Sequence, residues 1–151
     1  MITLSLARRL RLAGLPWQPR AGDRFVVLVR GMEQDVFHLA DMTVEVHDFP
    51  TGRVVGFNGT TEWALDSVTI EETVWLPRED QLRDLLGPAF VTLERDTQGY
   101  AVRFRTADGV AVARDGDAEC AYARAVLRTL EAGAVTAPAG PGRPGSPRSS
   151  G

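Results

Sequence analysis

Leu6, Leu10 and Ala13 fall on one stripe with Ala7, while Arg8, Arg9 and Arg11 lie outside it. That spacing predicts an amphipathic helix over about residues 3–13, stopped by Gly14 and then by Pro16 and Pro19. The β-branched run between Arg24 and Arg30 predicts a buried strand, and Val36 to Leu39 a short one. From Met42 to Phe49 the pattern alternates, with Met42, Val44 and Val46 on one face and Thr43, Glu45 and His47 on the other. Pro50-Thr51-Gly52 turns the chain, and Arg53 to Phe57 returns as a strand. Asn58-Gly59-Thr60 then leads into a short helix expected over about 61–68, and Val74-Trp75-Leu76 is extended and apolar.

The second half is patterned more sharply. Pro77 suits a first helical position, with Glu79 and Asp80 in the first turn and Leu82, Leu85 and Leu86 as the apolar stripe. Gly87-Pro88 closes that helix. Strands are expected over about 90–95, 99–106 and 109–114, joined by hairpins that each end in Gly, at Gly99 and Gly109. Asp117 is a good N-cap for a long helix running to about Ala132, with Tyr122, Val126 and Leu130 as its core stripe. The sum is an α+β fold: antiparallel sheet covered by helices, the second half ordered helix–three strands–helix. No βαβ alternation suggests a parallel sheet.

The 18 residues from Ala134 to Gly151 hold four Pro, four Gly and three Ser. Such a segment builds no packed face of its own and is expected to be a disordered tail, dispensable for folding. The folded domain therefore spans about 2–132, with two sub-units meeting near 74–78 as an alternative division. At 151 residues the chain buries roughly 70% of its unfolded surface without staples.

Charge and composition act mainly by exclusion. A net charge of −3 argues against a general nucleic-acid binder. All 17 basic residues are arginine. The chain therefore lacks the amine needed by a phosphate-loop lysine, a Schiff base or a Ser-Lys dyad. A single Cys excludes an internal disulfide and multi-Cys metal sites. No apolar run reaches the ~18 residues of a membrane span. In the N-terminal stretch the arginines follow the apolar residues, the reverse of a secretory signal. A cytoplasmic protein without membrane insertion and with no cofactor is expected.

Three regions could carry chemistry. His38, Asp41, Glu45, His47 and Asp48 hold both histidines of the chain, and one His with two carboxylates can build a metal site. A solvated polar strand face is the simpler account, because no compact ligand motif is present. Cys120 on the last helix reads as a small buried thiol, with neither histidine near it in sequence. Arg103 and Arg105 on one strand face, and Arg8, Arg9 and Arg11 on the first helix, are the basic groups on which nucleic-acid binding would rest.

The most distinctive stretch runs from Asn58 to Asp66. Asn58, the only Asn, precedes Gly at a turn, and Thr60 or Thr61 can cap the next helix. Glu62, Trp63 and Asp66 complete the candidate binding residues, with Trp63 and Asp66 three apart. Glu62 makes a bound anion unfavourable. The segment is expected to offer polar groups to a protein partner or a small neutral ligand.

Leu6-Ala7-Arg8-Arg9-Leu10, Gly22-Asp23-Arg24-Phe25-Val26, the segment Phe57 to Val68, Trp75 to Leu82 and Ala121-Tyr122-Ala123-Arg124-Ala125 together resemble short uncharacterised actinobacterial proteins. Some of these carry the label "pilus assembly protein CpaE". The label implies a Walker-type ATPase, related to septum-site and partition proteins, or an accessory role in pilus assembly. The chain has no Gly-rich phosphate loop and no Lys, so no ATPase residue is carried over. The resulting expectation is a small non-catalytic interaction module with a protein partner. The alternative is a small metal-dependent protein or enzyme using the 38–48 cluster.

Overall fold

Thr3 starts the first helix by accepting the Leu6 amide on its side-chain oxygen. This helix, α1 (Leu4–Leu12), buries Leu6, Ala7 and Leu10 and turns its arginines outward. The computed structural model describes residues 1–29, 31–39, 44–49, 52–57 and 67–133, with backbone only for 44–49, 52–57 and 67–68. The strands are β1 (Arg24–Val27), β2 (Val36–His38), β3 (Val44–Phe49), β4 (Gly52–Phe57), β5 (Ser67–Thr69), β6 (Thr73–Trp75), β7 (Phe90–Asp96), β8 (Gly99–Thr106) and β9 (Gly109–Asp115). The other helices are α2 (Glu79–Leu86) and α3 (Ala118–Glu131). The fold is α+β, with three antiparallel three-stranded sheets of order β2-β1-β6, β3-β4-β5 and β7-β8-β9.

Helix α3 is the axis of the core. Asp117 caps it by accepting the Cys120 amide at 3.1 Å, as its sequence position predicts. The buried surface is much wider than the expected stripe: Cys120, Ala121, Tyr122, Ala123, Ala125, Val126, Leu127 and Thr129 are all buried. The cause is enclosure, since α1, α2, β8 and β9 all pack against this one helix. Only Arg124, Arg128 and Glu131 within it are exposed.

The β2-β1-β6 sheet has two apolar faces, which the alternation of β1 explains. Val26, paired with Val74, faces the helical core. Phe25, paired with Phe37 on one side and Trp75 on the other, faces away from it. A second, smaller core of Phe25, Val27 and Leu39 lies on that side, with Trp17 and Phe37 packed against it.

Three expectations need correction. The first strand stops at Val27, and the Leu28 amide donates to the Glu72 carbonyl instead. Ser67 and Val68, expected at the end of a helix, belong to β5 and pair with Gly56 and Val55. The β-branched pair Val68-Thr69 supplies a third strand to the open edge of β4, and that pairing overrides a marginal helical pattern. Pro77 precedes the N-cap of α2, Arg78, whose amide donates to the Gln81 side chain at 3.0 Å. The second half otherwise follows helix–three strands–helix, with both hairpins at the expected residues.

Gly99 closes the first of these hairpins with φ +124°, and a Cβ there would lie 2.5 Å from the Asp115 carbonyl oxygen. Gly99→Ala therefore combines backbone strain with a clash against main chain. It is expected to cost more than about 1 kcal/mol in chemical denaturation; a variant as stable as the parent would contradict this register.

Candidate functional site

The row of rings on the outer face of β1 continues into a pair of clefts. Trp75 ends β6, and Trp17, from the segment after α1, stacks on it with centroids 6.5 Å apart and planes 9° apart. Trp17 also meets Phe25 at 5.7 Å, and Phe25 meets Phe37 at 5.6 Å. Four aromatic residues thus cover one sheet face, a geometry favourable for offset ring contacts.

A buried carboxylate fixes Trp17. Asp23 stands just before β1 and is 1% exposed. Its Oδ2 accepts the Trp17 indole N–H at 2.9 Å and the Arg20 amide at 3.0 Å. Its Oδ1 accepts the Gln81 side-chain amide at 2.6 Å. The Arg78 guanidinium lies 3.9 Å away, donates to the Gly22 carbonyl, and holds Asp80 through two 3.0 Å bonds. The Arg78 hydrogen bonds keep the Asp80 carboxyl below its ordinary value. A charge out of water is tolerable only when so satisfied. Asp23 therefore ties the Trp17 segment, β1 and α2 into one unit.

Leu15, Pro16 and Trp75 form walls shared by two clefts. The first, about 310 Å³, lies between α1 and β6 and is bounded further by Leu10, Trp17 and Ile70. Arg11 crosses its edge, donating to the carbonyls of Thr73 and Glu71. The second, about 250 Å³, lies against α2 and the end of α3, with Gln81, Asp84, Leu85 and Leu130 in its wall. The Trp75 ring lines both, and its indole N–H is buried without a hydrogen-bond partner among the described residues. A buried donor left unpaired costs about 1–3 kcal/mol. The Arg24 Nε shares this state, but that guanidinium is held through its other nitrogen by Glu119 and the Pro77 carbonyl.

Among the described residues, none of the candidate binding or metal residues expected from sequence lines either cleft. Asn58, Thr60, Thr61, Glu62, Trp63 and Asp66 fall outside the described residues, as does Asp41. His38 is exposed at the end of β2, opposite Arg24. Glu45, His47 and Asp48 are on β3, in a different sheet. Backbone alternation puts Glu45 and His47 on one face of β3 and Asp48 on the other. Among the described residues no three His, Cys, Asp or Glu side chains come together as a metal site. Arg103 is paired with Glu94 at 3.0 Å and Arg105 donates to the Pro88 carbonyl, so both strand arginines are engaged.

Cys120 is buried, and loss of water pushes its thiol up from the ordinary range. The reactive thiolate is thereby disfavoured. The native thiol is expected to resist a disulfide reagent at pH 8 and to react once the chain is unfolded. Rapid native labelling would contradict this. Burial raises the Tyr122 phenol as well. For both groups the unfolded chain loses the proton first. Their contribution is therefore present below the unfolded thiol value of about 8.5 and is lost as pH rises through the folded values.

Trp17, Asp23, Trp75 and Gln81 carry no distinguishing signal in sequence. An Asp beside a strand reads as solvated, and only the third dimension brings Trp17, six residues earlier, onto it. Among the described residues no helix is long and apolar enough to cross a membrane. No family model, curated protein or solved structure matches the chain.

Proposed function

We propose that this protein is a non-catalytic cytoplasmic binding module whose paired clefts around Trp75 take an extended, apolar stretch of a polypeptide. The observation that supports this reading is the pair of clefts on either side of Trp75, whose shared walls of Leu15, Pro16 and Trp75 are edged by the polar groups of Arg11, Gln81 and Asp84. Apolar walls with a few polar groups at their edge suit a ligand that brings apolar side chains and exposed backbone amides and carbonyls, and an extended peptide has both. The walls are pre-formed, because Asp23 holds Trp17 in place before anything binds. Binding then loses little ordering entropy on the protein side.

A library of displayed random peptides selected on the full chain tests the reading. Selection is expected to enrich extended apolar sequences that bind the parent and lose at least about tenfold affinity for Leu85→Trp, whose larger ring fills the second cleft. Peptides that bind this variant and the parent alike, at equal melting temperatures, would overturn it.

A further inference from the structure

We infer that the second cleft is a site for a free apolar α-amino acid, a ligand class that goes beyond the peptide reading above and shares only this cleft with it. The interior is apolar, built from Leu15, Pro16, Trp75, Leu85 and Leu130. The rim carries one charge of each sign, Arg20 and Asp84, both exposed. Neither of these side chains has a hydrogen bond or ion pair among the described residues. Asp23, the third ionisable group in the wall, is already matched by three hydrogen-bond donors and by Arg78 at 3.9 Å. The charges left for a ligand are therefore one cation and one anion.

A ligand of a single sign meets one of these two as a like charge, whereas a zwitterion meets each with its opposite. An α-amino acid holds its ammonium, its carboxylate and its side chain on one carbon. The side chain can enter the apolar walls while the carboxylate stays beside Arg20 and the ammonium beside Asp84. Size agrees: a cleft of about 250 Å³ is smaller than the roughly 300–1,000 Å³ sites of drug-sized molecules and suits a single residue such as leucine. The rim charges are also carried on elements that share an anchor. The Arg20 amide donates to Asp23 Oδ2 at 3.0 Å, and Gln81, one turn before Asp84 on α2, donates to Oδ1 at 2.6 Å. One buried carboxylate thus fixes both walls before anything binds, which limits the ordering that binding requires. An amino acid seated here competes with a peptide for the same walls.

The test titrates L-leucine into the full chain and follows the amides of Leu15, Leu85 and Leu130 by nitrogen–proton NMR. Saturable shifts at millimolar concentration are expected, and glycine, which has no apolar group, should not produce them. Arg20→Gln should weaken L-leucine roughly two- to fivefold, the range for a solvent-exposed charge pair, without weakening leucinamide, which lacks the carboxylate. Asp84→Asn should weaken L-leucine to a similar extent without weakening N-acetyl-leucine, which lacks the ammonium. Both substitutions are at exposed side chains without partners, so the variants should melt like the parent. No saturable shift with L-leucine, equal shifts with glycine, or a loss in each variant that ignores which charge the ligand carries would overturn the inference. If L-leucine fails while a display-selected peptide still loses affinity for Leu85→Trp, the amino-acid site falls and the peptide reading stands. If L-leucine obeys the charge rule while selected peptides bind Leu85→Trp and the parent alike, the peptide reading falls and the amino-acid site stands.

Discussion

Tyr122→Ala is expected to remove about 3–5 kcal/mol of stability, the range for deleting a large aromatic from a packed core. Tyr122 is 1% exposed on the most enclosed helix of the fold, with its ring 5.6 Å from that of Phe90. Its removal empties space that α2, α3 and the β7-β8-β9 sheet enclose together. For a domain of this size the melting temperature should fall by on the order of 10 °C or more. Tyr122→Phe keeps the ring and should lose far less. An alanine variant that melts like the parent would contradict the placement of α3.

Asp23→Ala is also expected to destabilise, for an electrostatic reason. The substitution leaves the Trp17 indole, the Gln81 amide and the Arg20 amide without their shared acceptor. The three donors are only part-buried, so water replaces part of what is lost, and a loss of about 1–3 kcal/mol is expected. The second readout separates this from ordinary destabilisation. Trp17 loses the bond that orients it over Trp75, so the near-ultraviolet circular dichroism of the native state should weaken at temperatures where the helices persist. A variant with parental stability and an unchanged aromatic spectrum would show that Asp23 organises nothing.

The parts of the fold that can be read from sequence are those where local chemistry and tertiary packing agree. The β7–β9 hairpins are legible because Gly99 and Gly109 end two-residue loops between alternating strands. The N-cap of α3 is legible because Asp117 needs no distant partner to accept the Cys120 amide. Val68 misleads because its partner, Val55, lies thirteen residues away and contributes nothing to local pattern. The width of the α3 core is hidden for the same reason: Ala121 and Ala125 read as neutral until α1, α2 and the sheet close around them. The candidate site is the extreme case. Trp75 reads as one apolar residue of a strand, and its importance lies in the two clefts that distant segments build against it. A cleft is a property of packing, and no spacing of residue types announces it.

The proposed role of the Trp75 cleft pair is to bind an extended peptide against the face of the Trp75 ring. The most direct measurement is the calorimetric affinity of the best display-selected peptide for Trp75→Phe and for the parent, under conditions where both are fully folded. Phenylalanine shortens the aromatic wall that both clefts share, and an aromatic packing contact is worth about 0.5–1.5 kcal/mol. Binding to the variant is expected to be roughly two- to twelvefold weaker, with a less favourable enthalpy. Equal affinity and equal enthalpy in the two proteins would contradict it.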